Sequence, residues 1–94
     1  MISVAQVISE AEVIHEQQNN RFVIAGPTGE AELTYEWLDQ KSINFIRTYV
    51  PLRMRGQGLA ERLVEAGLNW ASQSGLQHST CCWFVEQYQA DRQS

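Results

Sequence analysis

The chain has 94 residues, of which 44% are hydrophobic and 19% charged, with a formal net charge of −4. This length suits one domain over residues 1–94, and the composition excludes a disordered chain, a collagen and a coiled coil. Its longest apolar stretches, such as residues 81–85, are far shorter than the roughly 20 residues of a membrane span. Because the N-terminus also lacks the basic segment of a signal peptide, we expect a cytoplasmic protein without a membrane partner.

The first half of the chain reads as strands and turns. Residues 13–17 and 21–25 flank Asn19-Asn20, a pair that tolerates positive φ, which predicts a hairpin. A second turn is predicted at residues 26–29, and beyond it apolar and polar residues alternate from Ala31 to Trp37 as in a half-buried strand. A third turn at 39–42 leads to a fourth strand at 43–50, whereas residues 1–10 lack clear caps and remain ambiguous.

The second half reads as a helix, a short strand and a final segment. Pro51 ends the fourth strand because it cannot donate to a ladder. Apolar residues at helical spacing run from Leu59 to Ala71, and Gly75 stands where a left-handed cap ends a helix. A fifth short strand follows at 76–80, and residues 82–91 are helical or irregular. The order predicts an α+β fold with a mainly antiparallel sheet, one long helix on one sheet face and a short C-terminal helix.

The cysteines and histidines argue against a disulfide scaffold or a zinc site. Cys81 and Cys82 are the only cysteines and are adjacent, so a bond between them would close a small strained ring and link no distant segments. Adjacent cysteines also chelate poorly, and His15 and His78 are the only histidines. We therefore expect no metal site.

Charge is distributed unevenly along the chain. Residues 1–40 carry seven acidic residues and one arginine, whereas residues 41–62 carry five basic residues and one glutamate. A single short basic segment is too small for duplex nucleic acid, whose binding draws on about six to ten phosphate contacts. It is better matched to a small anionic ligand.

A glycine-bearing loop joins the fourth strand to the long helix within this basic segment. Gly56 and Gly58 let the backbone approach a ligand closely, and Arg53 and Arg55 flank them. The first amides of the following helix have no intrahelical partner, so they can hold a phosphate. The loop lacks the lysine of a Walker loop, and Glu61 stands where a dinucleotide fingerprint needs a small residue. The alternative is a flexible turn with surface arginines, but the order of strand, Pro51, Arg-x-x-Gly-x-Gly and helix favours a diphosphate cradle.

Three segments resemble the GNAT superfamily of N-acetyltransferases, in particular its minimal, single-domain branch. They are Thr48–Pro51, Arg55–Ala60 and Cys82–Val85, within a likeness that runs from about residue 12 to about residue 88. The resemblance implies acetyl-CoA as cosubstrate, with its pantetheine arm along the strand that ends at Val50. The cofactor contacts that it implies are Thr48, Tyr49, Val50, Arg53, Arg55, Gly56, Gln57, Gly58, Leu59 and Ala60.

The resemblance also implies a position for Cys82 near the acetyl group, as a transient nucleophile or a positioning group. Without it, Cys82 reads as an inert core thiol. Glu36, His15 and His78 are candidate bases, among which the sequence does not choose. We expect an N-acetyltransferase that acetylates a primary amine on a small molecule or a protein. The alternative is a noncatalytic acyl-CoA-binding or protein-interaction module with the same core. The sequence does not predict the oligomeric state.

Overall fold

The computed structural model describes residues 12–93 and shows a five-stranded sheet with two helices. The strands lie in the order β1-β2-β3-β4-β5, with β1 to β4 antiparallel and β5 parallel to β4. The predicted α+β class is confirmed, and the ambiguous residues 1–10 lie outside the described part. The elements are β1 (Ile14–Glu16), β2 (Arg21–Gly26), β3 (Gly29–Asp39), β4 (Ser42–Tyr49), α1 (Leu59–Gln73), β5 (Gln77–Thr80) and α2 (Trp83–Gln93).

Turn chemistry explains where the strands end. Asn20 adopts a left-handed φ of 53° between β1 and β2, as an asparagine tolerates. The Asp39 carboxylate accepts the backbone N–H of Lys41 at 2.8 Å in the β3–β4 turn. β4 ends at Tyr49, one residue before the predicted end, because the following Pro51 disrupts the ladder. Between residues 12 and 93, no helix has the length and hydropathy that crossing a bilayer requires.

Helix α1 packs closely on the sheet through Gly67. A Cβ atom on Gly67 would lie 2.9 Å from Leu33 Cδ2 and 2.9 Å from Phe45 Cε1. Leu63, Val64 and other apolar residues on the same helix face are buried in the core that α1 forms with the sheet. Only a residue without a side chain fits at this crossing, so Gly67 sets the distance between helix and sheet.

A left-handed glycine caps the C-terminus of α1, as the sequence predicted. Gly75 has a left-handed φ of 70°. Its N–H donates to the Ser72 carbonyl at 3.2 Å, and the Leu76 N–H donates to the Ala71 carbonyl at 2.8 Å. These two bonds form a Schellman motif, which satisfies the last carbonyls of the helix.

A β-bulge in β4 separates β4 from β5. Tyr35 pairs with Phe45 but Thr34 pairs with Arg47, so Ile46 is an extra residue in β4. The parallel pairing of β4 with β5 ends at the same point, at Phe45 and Thr80. From residue 46 to the end of β4, no described strand pairs with the β5 side of β4. A bulge bends the strand that carries it, so the two neighbours diverge here.

An aromatic cluster surrounds His15 near the C-terminal end of α1. The His15 ring stacks on Phe22 with 4.0 Å between centroids and meets Trp70 edge-on at 4.5 Å. Its Nε2 atom lies 2.7 Å from the Tyr35 hydroxyl. Burial lowers the pKa of His15 below its ordinary value, because a charged imidazolium loses solvation among these rings.

Replacing Gly67 by valine tests the close packing of α1. The added side chain has to displace Leu33 and Phe45, so we expect the free energy of unfolding to fall by about 1–3 kcal/mol. Urea denaturation measures it. The control is Asn69→Val, which places the same side chain at an exposed position of the same helix and is expected to change it by about 0.5 kcal/mol at most. Equal effects of the two variants would contradict the packing role.

The His15 cluster predicts how stability depends on pH. Because the folded pKa of His15 lies below the unfolded value, the unfolded chain binds the proton more readily. The contribution of neutral His15 is therefore complete above about pH 6.5 and is lost as the pH falls through the folded pKa. We expect the urea midpoint of unfolding to fall between pH 7.5 and pH 5. We expect this fall to be smaller in the His15→Phe variant. An unchanged drop in His15→Phe would assign the pH dependence to other groups.

Candidate functional site

A cleft of about 500 Å³ opens between the end of β4, the glycine-bearing loop and the starts of both helices. Its walls include Met54, Glu61, Trp83 and Phe84 in addition to most of the residues that the sequence predicted. Arg53 and Gln57 do not line it. The predicted residues that do are Thr48, Tyr49, Val50, Arg55, Gly56, Gly58, Leu59 and Ala60.

The edge of β4 beyond the bulge presents backbone groups to this cleft. Phe45 is the last β4 residue bonded to the β5 side: its carbonyl accepts the Cys81 N–H at 3.1 Å and the Thr80 hydroxyl at 2.9 Å. Past the bulge, Thr48 lines the cleft, and its hydroxyl oxygen lies 3.4 Å from the Cys82 sulfur. Val50 follows directly after β4 and also lines the cleft, and its carbonyl accepts the Arg55 Nε at 2.9 Å. An extended ligand with amide groups can pair with such an edge.

The glycine-bearing loop supplies an anion-binding helix N-terminus. Gly56 has φ 84° and Gly58 has φ 75°, both in the left-handed region that favours glycine. Gly58 is the N-cap of α1 and no side chain caps the helix. The first intrahelical bond runs from Arg62 N–H to the Gly58 carbonyl at 3.1 Å, so the preceding amides lack intrahelical acceptors. They carry a partial positive charge that suits a phosphate.

Charged side chains around the loop have different positions. The Arg55 Nε donates to the Val50 carbonyl at 2.9 Å, which fixes the arginine over the end of β4, whereas Arg53 is exposed in the short turn Leu52–Met54. Glu61 lies in the first turn of α1, and its Oε1 is 4.0 Å from the place of a Cβ on Gly58. A carboxylate is stabilised there by the free amides. The Glu61 carboxylate also puts a negative charge beside the predicted phosphate position. Helical periodicity alone did not reveal that Glu61 lies there.

Cys82 is the N-cap of α2 and adjoins the cleft. Its carbonyl accepts the Glu86 N–H at 3.1 Å, the first bond of the helix. Its sulfur lies 3.4 Å from Oγ1 of Thr48, which lines the cleft. Burial is the largest single effect on the thiol and raises its pKa. Hydrogen bonds from the Thr48 hydroxyl and from the backbone at Val85, Phe84 and Thr48 together outweigh burial, so the pKa of Cys82 lies below its ordinary value.

None of the three candidate bases lines the cleft. His15 lies in the aromatic cluster beside Trp70, and His78 lies near the Phe45 ring at 6.0 Å between centroids. Glu36 accepts a hydrogen bond from Asn44 at 3.1 Å on the sheet face opposite the helices. Among residues 12–93, no group of three histidine, cysteine or acidic side chains is placed to hold a metal ion.

Comparisons with known proteins agree with this geometry. The family model described as GCN5-related N-acetyl-transferase matches residues 21–94. The NATD1 protein of Mus musculus is 30% identical over 78 residues, which are 81% of this chain and 71% of that protein. NATD1 of Xenopus tropicalis is 28% identical over 82 residues, or 85% of this chain and 75% of that protein.

A solved structure shows the same fold. The solution structure of a GCN5-like protein from Staphylococcus aureus superposes with a TM-score of 0.69 and 27% sequence identity. The match covers 89% of this chain and 82% of that one. The resemblance that residues 48–60 and 82–85 predicted is thereby confirmed: the chain belongs to the GCN5-related N-acetyltransferase family.

Proposed function

We propose that this chain is one acyl-CoA-binding domain that transfers an acetyl group from acetyl-CoA to a primary amine. The observation that carries the proposal is the divergence of β4 from β5 at Ile46, directly beside the uncapped N-terminus of α1. An open strand edge next to an anion site matches an elongated ligand with amides at one end and a diphosphate at the other. Family membership supports the same cosubstrate.

The loop residues would hold the diphosphate. The amides from Arg55 to Ala60, Gln57 among them, supply donors at the helix N-terminus, and Arg53 and Arg55 add charge-assisted bonds. Nothing lies within 4 Å of a Cβ placed on Gly56, so the backbone is open to close approach. The edge formed by Thr48, Tyr49 and Val50 would pair with the pantetheine arm. These residues fit acetyl-CoA through donors, charge and free space together.

The chemistry is acyl transfer to nitrogen. The ammonium group of the acceptor first loses a proton to solvent. The neutral nitrogen then attacks the thioester carbonyl carbon, the carbon–sulfur bond breaks, and the departing sulfur takes the second proton as CoA thiol. A backbone N–H near Val50 would stabilise negative charge on the carbonyl oxygen. Cys82 would lie against the acetyl group and position it.

An acceptor panel tests the proposed function. Purified protein is mixed with acetyl-CoA and with polyamines, amino acids or lysine-containing peptides, and free thiol is measured over time. We expect amine-dependent thiol release with one acetylated amine formed per CoA. Binding of acetyl-CoA without transfer to any amine would instead identify a noncatalytic acyl-CoA-binding module.

The substitution Gly58→Val tests the diphosphate cradle. A branched side chain disfavours the left-handed turn and enters the space above the helix amides. We expect CoA affinity, measured by calorimetry, to fall by at least about tenfold. The matched control is Gly75→Val, because Gly75 has a similar φ of 70° but lies at the other end of α1. Normal CoA affinity in a folded Gly58→Val protein would show that the diphosphate does not bind at this loop.

The substitution Cys82→Ala distinguishes direct transfer from a covalent route. Direct attack needs no thiol, so we expect CoA affinity to be kept and turnover to fall by less than about tenfold, whereas loss of a nucleophile lowers turnover by orders of magnitude. Intact-mass measurement of the unmodified protein with acetyl-CoA and no amine provides the second readout. An added acetyl group that Cys82→Ala abolishes would establish Cys82 as the nucleophile and contradict direct transfer.

A further inference from the structure

We infer that Glu61 opposes the phosphate groups of the cosubstrate, so that it limits how tightly CoA is held and favours its release as product. This inference rests on the proposed function, since it adds a residue that tunes the same site. Glu61 lines the cleft and lies in the first turn of α1. Its role is to determine affinity and specificity at the phosphate end of the ligand, away from the thioester where acetyl transfer takes place.

The start of α1 brings the Glu61 carboxylate next to the amides that would hold the diphosphate. Gly58 is the N-cap of α1, so Leu59 is the first helical residue and Glu61 the third. A glutamate at the third helical position can reach back to the backbone N–H of the N-cap residue. The Glu61 Oε1 lies 4.0 Å from the place of a Cβ on Gly58. A phosphate bound at the N-cap amide therefore meets this carboxylate at close range.

The cleft wall holds one positive and one negative side chain. Arg55 is the other charged residue among the described residues that line the cleft, and its Nε donates to the Val50 carbonyl at 2.9 Å. Glu61 itself is exposed, and no described residue forms an ion pair with its carboxylate. The formal charges of Arg55 and Glu61 cancel, so the cleft wall attracts an anion less than the basic segment 41–62 suggests.

The charge of Glu61 affects the free protein and the complex in opposite ways. In the free protein, the partial positive charge at the start of α1 stabilises the carboxylate. In the complex, the diphosphate occupies the same amides, and like charges only a few ångströms apart repel each other. The same side chain therefore stabilises the fold and weakens CoA binding. A site that holds CoA less tightly is less inhibited by the CoA that acetyl transfer produces.

Glu61 distinguishes ligands by their charge. The pantetheine arm is uncharged and would pair with the edge formed by Thr48, Tyr49 and Val50, so the carboxylate exerts no charge repulsion on it. The diphosphate, or any other anion at the start of α1, is repelled. Glu61 therefore lowers the affinity for a ligand according to the negative charge that the ligand places at this helix N-terminus.

Calorimetric titrations of the Glu61→Gln variant test this inference. Glutamine keeps the size of the side chain and removes its charge. At an ionic strength of about 0.01 M, we expect the variant to bind CoA and inorganic pyrophosphate about threefold to fivefold more tightly than the unchanged protein does. At about 1 M the gain should fall below about twofold, because salt shortens the screening length from about 30 Å to about 3 Å. The uncharged ligand pantetheine should bind equally to both proteins.

The substitution Glu86→Gln is the matched control. Glu86 is exposed and lies in the first turn of α2, but it does not line the cleft. Both substitutions remove a carboxylate that a helix N-terminus favours, so we expect each to lower the melting temperature of the free protein by about 2–5 °C. Only Glu61→Gln should tighten CoA binding. A loss of stability together with a gain in affinity is a combination that a merely structural role would not produce.

Kinetics separate this inference from the proposed function. If an amine is acetylated, the inhibition constant of product CoA should fall in Glu61→Gln by the same factor as the dissociation constant. Unchanged or weaker CoA affinity in Glu61→Gln, or an equal gain in Glu86→Gln, would overturn the inference even where acetyl transfer is observed. Tighter binding of CoA and pyrophosphate without transfer to any amine would support the inference and overturn the proposed enzymatic function.

Discussion

One extra residue in β4 determines the geometry on which the site depends. Ile46 has no counterpart in β3, and the pairing of β4 with β5 stops at the residue before it. A regular strand would have continued the parallel ladder and closed the edge. The bulge also shifts the register of β4 against β3, from Tyr35–Phe45 on one side of it to Thr34–Arg47 on the other. The open edge and the cleft are both consequences of this local irregularity.

The divergence brings two helix N-termini to one place. α1 begins at Leu59 without a side-chain cap, and α2 begins at Trp83 with the Cys82 thiol as its cap. Both starts line the cleft, so the partial positive charges of two helices meet there. At the uncapped terminus this field favours a phosphate, and at the start of α2 hydrogen bonds from the Thr48 hydroxyl and from the backbone outweigh burial and lower the pKa of the Cys82 thiol. Gly67 maintains the arrangement because it holds α1 at a fixed distance from the sheet.

Residues with strong local preferences allowed much of this to be predicted from the sequence. Gly75 adopts the left-handed φ that its position after the long helix suggested. The alternation of apolar and polar residues from 31 to 37 predicted β3. The helical spacing of apolar residues from Leu59 to Ala71 predicted α1. The family could be recognised because its loop is a short contiguous motif.

Features that depend on distant residues could not be predicted in this way. The bulge could not be predicted because residues 43–50 read as one continuous strand. Nothing in their order marks Ile46 as a residue without a partner in β3. The hydrogen bonds that join Glu36, Asn44 and Ser79 across β3, β4 and β5 depend on the register of three strands, one of which comes after a helix. Glu61 was read only as part of a polar helix face. Its place beside Gly58 depends on the path of the loop.

The most direct test of the account is a structure of the protein with CoA bound. The account predicts hydrogen bonds from the diphosphate to backbone amides between Gly56 and Ala60, and pairing of the pantetheine amides with β4 between Ile46 and Val50. It also predicts the thiol end of CoA beside Cys82. CoA bound elsewhere, or a diphosphate with no contact to the α1 N-terminus, would contradict the claim that the divergence of β4 from β5 forms the cosubstrate site.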